Sequence, residues 1–126
     1  MIDRDTARVW AGWFDALGEG SRVLILNLLA EAGRPMSVGE IVAALDIAQS
    51  TVSHHLRRLE EVGFIICQRE GTATSCKINE RCLEMFPTAA EVVLGRAPAD
   101  AARTECAPWL DADRINAEQV TARSRD

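Results

Sequence analysis

Two short helices joined by a tight turn, with a two-stranded hairpin directly after them, predict a mainly α fold with a β-hairpin wing: a winged helix-turn-helix. Three features of the 126-residue sequence carry that reading. Ser37 and Glu40 form a capping box ahead of Val38, Ile41, Val42 and Leu45, which recur at helical spacing. After the turn Asp46-Ile47-Ala48, the stripe Val52, Leu56, Leu59 and Val62 marks a second helix that Gly63 stops. The runs 64–69 and 72–78, on either side of Glu70-Gly71, then read as the strands of a hairpin.

The remaining elements follow in chain order. Ala7, Trp10, Phe14 and Leu17, with Trp13 beside them, give a broad apolar face to a helix over about residues 5–17. A helix over about 21–32 is apolar nearly all round, through Val23, Leu24, Ile25, Leu26, Leu28 and Leu29, and is expected to be the central core helix. Past the hairpin, Asn79 can cap a short helix with Cys82 at its third position. Pro87 disfavours helix at Phe86, and Thr88 with Glu91 forms a second capping box that starts a helix through Val92, Val93 and Leu94. Beyond Gly95 the composition turns to Ala, Pro, Arg and Asp with few apolar anchors. We therefore expect a winged helix-turn-helix domain over 1–95 and a partly flexible tail over 96–126.

The helix after the turn is the candidate recognition helix. At about 100° per residue, Ser50, His54, Arg57 and Glu61 fall opposite its apolar stripe, Ser53 and Arg58 lie at the flanks, and Gln49 sits in the exposed first turn. Gln and Arg pair bidentately with base edges, while Ser and Thr hydroxyls, Thr51 included, suit phosphates. Arg69 and Lys77 are expected to touch the DNA backbone from the wing. His55 falls nearer the apolar side and reads as a packed, hydrogen-bonded histidine.

Charge is compatible with this. The chain carries a net −5, but residues 1–49 hold four basic and seven acidic groups, 50–82 five and four, and 84–126 five and eight. The segment proposed to meet DNA is thus the one that is not acidic. The apolar run Val23–Leu26 breaks at Asn27, too short for a membrane span, and the opening MIDRD does not read as a secretory signal, so a cytoplasmic protein is expected.

Four cysteines remain: Cys67, Cys76, Cys82 and Cys106. In a cytosolic protein structural disulfides are not expected, and such a set points to a soft-ion site or a redox switch. If Glu70-Gly71 is a two-residue turn, residue 67 pairs with 74, placing Cys67 and Cys76 on one sheet face as diagonal neighbours. Cys82, near a helix N-terminus where the dipole stabilises a thiolate, is the best candidate for a reactive thiol. Cys106 lies in the tail and could reach either protomer's site or be incidental, and Cys67, beside Ile65 and Ile66, could equally be packing. A thiol enzyme is disfavoured, because there is no glycine-rich phosphate loop and neither histidine is placed to activate a thiol.

From Phe14 to Ile78, and most specifically in QSTVSHHLRRLEEVGFI at Gln49–Ile65 and REG at Arg69–Gly71, the sequence resembles the ArsR/SmtB family of metal-sensing repressors. The resemblance implies a homodimer that sits on double-stranded operator DNA and leaves it when a metal or metalloid ion binds. It also implies terminal helices paired across the dimer, making Trp10, Trp13, Phe14, Val92 and Val93 interface candidates. The Cys-Val-Cys string of arsenic-sensing members is replaced here by Ser37-Val38-Gly39, and the His and carboxylate site of zinc sensors is missing, since both histidines lie on the DNA-reading helix. The expected inducer is therefore a thiophilic ion on Cys67, Cys76, Cys82 and Cys106: trivalent arsenic or antimony, or mercuric ion, with arsenic ranked first on family habit and no permanent cofactor. The alternative is the same repressor switched by cysteine oxidation.

Overall fold

The structure, a computed structural model, describes residues 1–99. Cys106 and most of the expected tail lie outside them. In chain order the elements are α1 (Arg4–Ala16), α2 (Gly20–Ala32), β1 (Met36–Ser37), α3 (Val38–Leu45), α4 (Gln49–Glu61), β2 (Ile65–Glu70), β3 (Ala73–Ile78) and α5 (Glu80–Val93). The strands form one antiparallel sheet in the order β1-β3-β2.

Most helix ends are set by local chemistry. Asp3 accepts from the amide of Thr6 at 2.8 Å at the start of α1, and Glu19 accepts from that of Ser21 at 2.6 Å at the start of α2. The expected capping box is closed: Ser37 Oγ accepts from the Glu40 amide at 3.1 Å, and Glu40 Oε1 accepts from the Ser37 amide at 2.9 Å. Gly63 takes φ 89° after α4, and the Phe64 amide donates back to the Leu59 carbonyl at 3.1 Å, which ends the helix and aims the chain into β2.

The core gathers Trp10 and Trp13 of α1, Ile25 and Leu29 of α2, Ile41 of α3, the α4 stripe, Phe64, Ile65, and Cys82 and Ala89 of α5. Trp13 meets Trp10, Phe64 and Phe86 at ring-centroid distances of 6.4, 6.2 and 6.3 Å, tying α1 to α5 and to the start of the wing. The indole N–H groups of Trp10 and Trp13 are buried and meet no acceptor among the described residues.

Several expectations are corrected. The helix after the wing does not break at Pro87; α5 runs through it. Proline removes one amide donor, but its ring lies on the exposed side, and burial of Cys82 and Ala89 on either side holds the helix together. The second capping box at Thr88 therefore does not form. In α2 only Ile25 and Leu29 are buried, whereas Val23 and Leu24 are 45% and 53% exposed, because uniform hydrophobicity conceals which face meets the core. Strand β1 was not anticipated: its two residues complete the sheet beside β3, with Met36 opposite Cys76.

The hairpin turn is also shifted. Glu70 pairs with Ala73, so the turn residues are Gly71 and Thr72, and Gly71 takes φ 64°. A tight hairpin turn needs positive φ at its first central position, which glycine adopts freely and glutamate does not. The register moves accordingly. Cys67 lies directly opposite Cys76, with Cα atoms 4.1 Å apart, and the two are joined in a disulfide, contrary to the expectation of none.

Candidate DNA-reading surface and cysteine pair

Helix α4 presents two unlike faces. Val52, His55, Leu56 and Leu59 are buried, and Gln49, Ser50, Thr51, His54 and Arg57 are exposed, with Ser53 half-buried at the edge. The amides of its first turn have no capping side chain, since the preceding residue is Ala48. An uncapped helix start with flanking hydroxyls suits phosphate oxygens. The preceding turn is tight because Asp46 adopts the left-handed region, φ 55° and ψ 45°, which closes α3 without glycine.

His55 anchors the helix on its inner side, as the sequence suggested. Arg22 Nη1 donates to His55 Nδ1 at 3.4 Å, so the ring proton sits on Nε2, 3.7 Å from Glu19 Oε1. Burial pushes the His55 pKa below its ordinary value; Glu19 opposes this, and Arg22 and His54 add to it. The amide of Ser21 leads the groups that hold the Glu19 carboxyl below its ordinary range. Arg22 also donates through Nε to the Ala16 carbonyl at 2.5 Å, which fixes the guanidinium across the α1–α2 connection. Arg58, at the flank of the recognition face, is turned back to the scaffold and meets Asp15 at 2.7 Å and Glu61 at 3.4 Å.

The two basic residues expected to act from the wing separate. Arg69 lies on the same sheet face as Cys67, and its guanidinium reaches Glu60 of α4 at 3.4 Å. Lys77 pairs with Ile66 and lines a cavity of about 430 Å³ with Leu29, Arg34 and Arg81, away from α4. Alternation along the strands puts Arg69 and Lys77 on opposite faces. Arg69 therefore converges with Arg57, and Lys77 does not.

Between α4 and the wing lies a groove of about 190 Å³ whose lining includes Ser53, Arg57, Glu60, Arg69 and Thr74 together with both Cys67 and Cys76. The sequence did not single out Glu60 or Thr74. The signal for Glu60 was its place one turn after Arg57, and that for Thr74 its place on the strand face shared with Cys76.

The cysteines do not gather as expected. Cys82 has no exposed surface and belongs to the core, so its site near the start of α5 does not make it an accessible thiol. Among the described residues, no three His, Cys, Asp or Glu side chains are grouped to hold an ion. Of the interface candidates, Trp10 and Trp13 are enclosed by the chain's own elements, 1% and 0% exposed; Trp13 packs on Phe64 and on Phe86 of α5, and Trp10 on Trp13. Phe14 and Val93 are exposed, and Val92 is half-buried.

Comparison with known proteins agrees with this architecture. The sequence pattern of the bacterial regulatory proteins of the arsR family matches residues 19–66. An uncharacterized HTH-type transcriptional regulator of Methanocaldococcus jannaschii is 44% identical over 59 residues, 47% of this chain and 65% of the relative. A putative arsenical resistance operon repressor of Halobacterium salinarum is 33% identical over 60 residues, 48% of this chain and 46% of the relative. The chain thus spans less than two thirds of the length of either. The homodimeric winged helix-turn-helix DNA-binding domain of a possible ArsR-family regulator from Mycobacterium bovis superposes with a TM-score of 0.58 at 30% identity, covering 74% of this chain and 87% of that domain. These relatives are transcriptional regulators and DNA-binding domains rather than enzymes. With a matched segment that runs through the helix-turn-helix to the start of the wing, and a fold shared with a winged helix-turn-helix domain, the chain belongs to the ArsR family of bacterial regulatory proteins.

Proposed function

We propose that this protein is a homodimeric transcriptional repressor that reads operator DNA with α4. The observation that carries the reading is the exposed row Gln49, Ser50, Thr51, His54 and Arg57 on a helix whose opposite face is buried and whose N-terminus is uncapped. Ser53 and Arg69 extend the contact set, and Lys77 reaches the backbone only from the other side of the wing. The M. bovis domain is homodimeric, and exposed Phe14 and Val93 offer an apolar surface for the same pairing here. Two copies would place half-sites about 34 Å apart.

Release from DNA falls to the cysteines. Once reduced, Cys67 and Cys76 present two sulfurs on one face of the wing, a donor number that fits mercuric ion. Trivalent arsenic or antimony calls for a third thiolate, for which Cys106 is the candidate, because Cys82 is enclosed in the core. A second reading, a repressor switched by cysteine oxidation, is favoured by one observation: the disulfide between Cys67 and Cys76.

Fluorescence anisotropy on DNA from the protein's own promoter region tests both. Arg57→Ala should weaken binding by about 1–3 kcal/mol while the circular dichroism spectrum is unchanged. Unchanged affinity would remove Arg57 from the contact set, and absence of salt-dependent binding by the unaltered protein would sink the DNA reading. Release of the reduced protein by one thiophilic ion at stoichiometric concentration supports the metal switch; indifference to ions with a response to oxidation supports the redox switch.

A further inference from the structure

We infer that Cys67 is a thiol-exchange site: a small carboxylate-bearing thiol attacks its sulfur from the groove between α4 and the wing, and the adduct weakens DNA binding. The inference rests on the DNA-reading function proposed above and concerns its regulation.

The two sulfurs of the disulfide are not equivalent. Cys76 sits in the central strand β3, with Met36 of β1 on one side and β2 on the other, and is 1% exposed. Both cysteines border the groove, but Cys67 sits in the edge strand β2 and is half-buried, so its sulfur is the more open of the two. A thiolate from solvent therefore reaches Cys67 first, and access decides which sulfur of a disulfide is attacked. The groove also selects by charge. Arg57 and Arg69 face it against the one carboxylate of Glu60, which is engaged by Arg69 at 3.4 Å, and Arg57 makes no ion pair among the described residues. An anionic thiol is drawn in and a cationic one is not.

The exchange is balanced without any further reagent. The thiolate sulfur bonds to Cys67 Sγ, the bond from Cys67 Sγ to Cys76 Sγ breaks, and the electron pair leaves on Cys76 Sγ, which takes a proton from water. The reverse attack by Cys76 expels the small thiol and closes the disulfide again. In the adduct, the thiol's body fills the groove beside Arg57 and Arg69, and its carboxylate pairs with guanidinium groups that would otherwise meet phosphate or base edges. The added negative charge also opposes DNA.

The test treats the full-length oxidised protein with 3-mercaptopropionate and, in parallel, with cysteamine, and locates the mixed disulfide by peptide mass spectrometry. The expected adduct is on Cys67, with the anionic thiol favoured by about threefold or more at low salt, relative to the two rates on a simple dialkyl disulfide, and the preference lost at high salt. An adduct on Cys76, or no charge preference, overturns the site. To trap the adduct, Cys76→Ser is treated with the disulfide of 3-mercaptopropionate, which leaves a thiol-modified Cys67 that Cys76 cannot resolve. Its operator affinity should fall about tenfold or more below that of the unmodified variant, which is about 1.4 kcal/mol. If Cys76→Ser does not fold, the same comparison is made on wild-type protein held as the adduct by excess thiol. Equal affinity with and without the adduct overturns the regulatory step. Failure of the unmodified protein to bind overturns the DNA reading and the regulatory step together, whereas the mass map decides the exchange site on its own.

Discussion

Helix α4 and the wing stand side by side, yet different forces hold them. Four buried side chains, Val52, His55, Leu56 and Leu59, seat α4 against the scaffold. From Gln68 to Ala73 every residue of the wing is exposed, so past Cys67 the hairpin is kept in place by its strand ladder, the disulfide behind it, and the Arg69–Glu60 ion pair. Burial is non-directional and not easily undone, whereas a disulfide is a chemical bond that a thiol can open. Position is thus built into the reader, and chemistry can adjust the element beside it.

Experiments can break that contrast in order of expected effect. Leu59→Ala removes a fully buried side chain from the α4 stripe and should cost about 2–5 kcal/mol in urea denaturation. A smaller loss would mean that α4 is not seated mainly by burial. Cys67→Ser opens a crosslink between residues nine apart, and the chain-entropy relation puts its contribution at about 2–3 kcal/mol. Hydrogen exchange should show the change concentrated in β2 and β3, with α4 amides still protected; equal loosening of α4 would erase the distinction.

Acidification should produce a shallower change. The pKa of His55 is lowered in the folded chain, so the unfolded chain binds protons first as pH falls through the ordinary histidine value of about 6.5. Stability is therefore full above that value and declines below it until the folded-state pKa is also passed. Glu19, whose own pKa is lowered, gives up its contribution only further down, below the ordinary carboxylate range. Thermal melts at about pH 7.5 and 5.5 should show a drop that His55→Gln flattens, unless the histidine takes no part in seating α4. The smallest effect is expected from Glu60→Gln. An exposed pair of this kind contributes about 0–1 kcal/mol, so the melting temperature should hardly move, but the freed Arg69 should raise operator affinity.

These contrasts bear on what the sequence could reveal. Each helix of the helix-turn-helix was readable because its signals agree: the Ser37–Glu40 box, the apolar stripe of α4 and the stop at Gly63 all point the same way. The exposed face of α4 followed from the same periodicity. The tract through Pro87 was misread because a local rule, proline against helix, is outweighed by burial of Cys82 and Ala89, and burial depends on partners distant in sequence. The same applies to Trp10 and Trp13, which the resemblance implied as interface candidates and which the chain's own core encloses, Trp13 against Phe64 and Phe86. The cysteine pair turned on a single choice. Placing the turn one residue early changed a direct neighbour into a diagonal one, although the shared face was read correctly because side-chain alternation survives a shift of two.

Strand β1 imposes a constraint on how the chain can vary in length. Met36 and Ser37 pair with β3, and Ser37 is at once the last residue of the strand and the cap of α3, so no residue is spare between them. An insertion there would break either the ladder or the cap. At Gly71-Thr72 the chain is exposed, and two residues added on each arm would lengthen the wing while leaving Cys67 opposite Cys76. A single residue added within one arm, between a cysteine and the turn, would instead force a bulge or turn that arm's distal side chains to the other face. Insertions and deletions in homologous chains should accordingly fall at the tip in balanced pairs and be absent at the junction of residues 37 and 38.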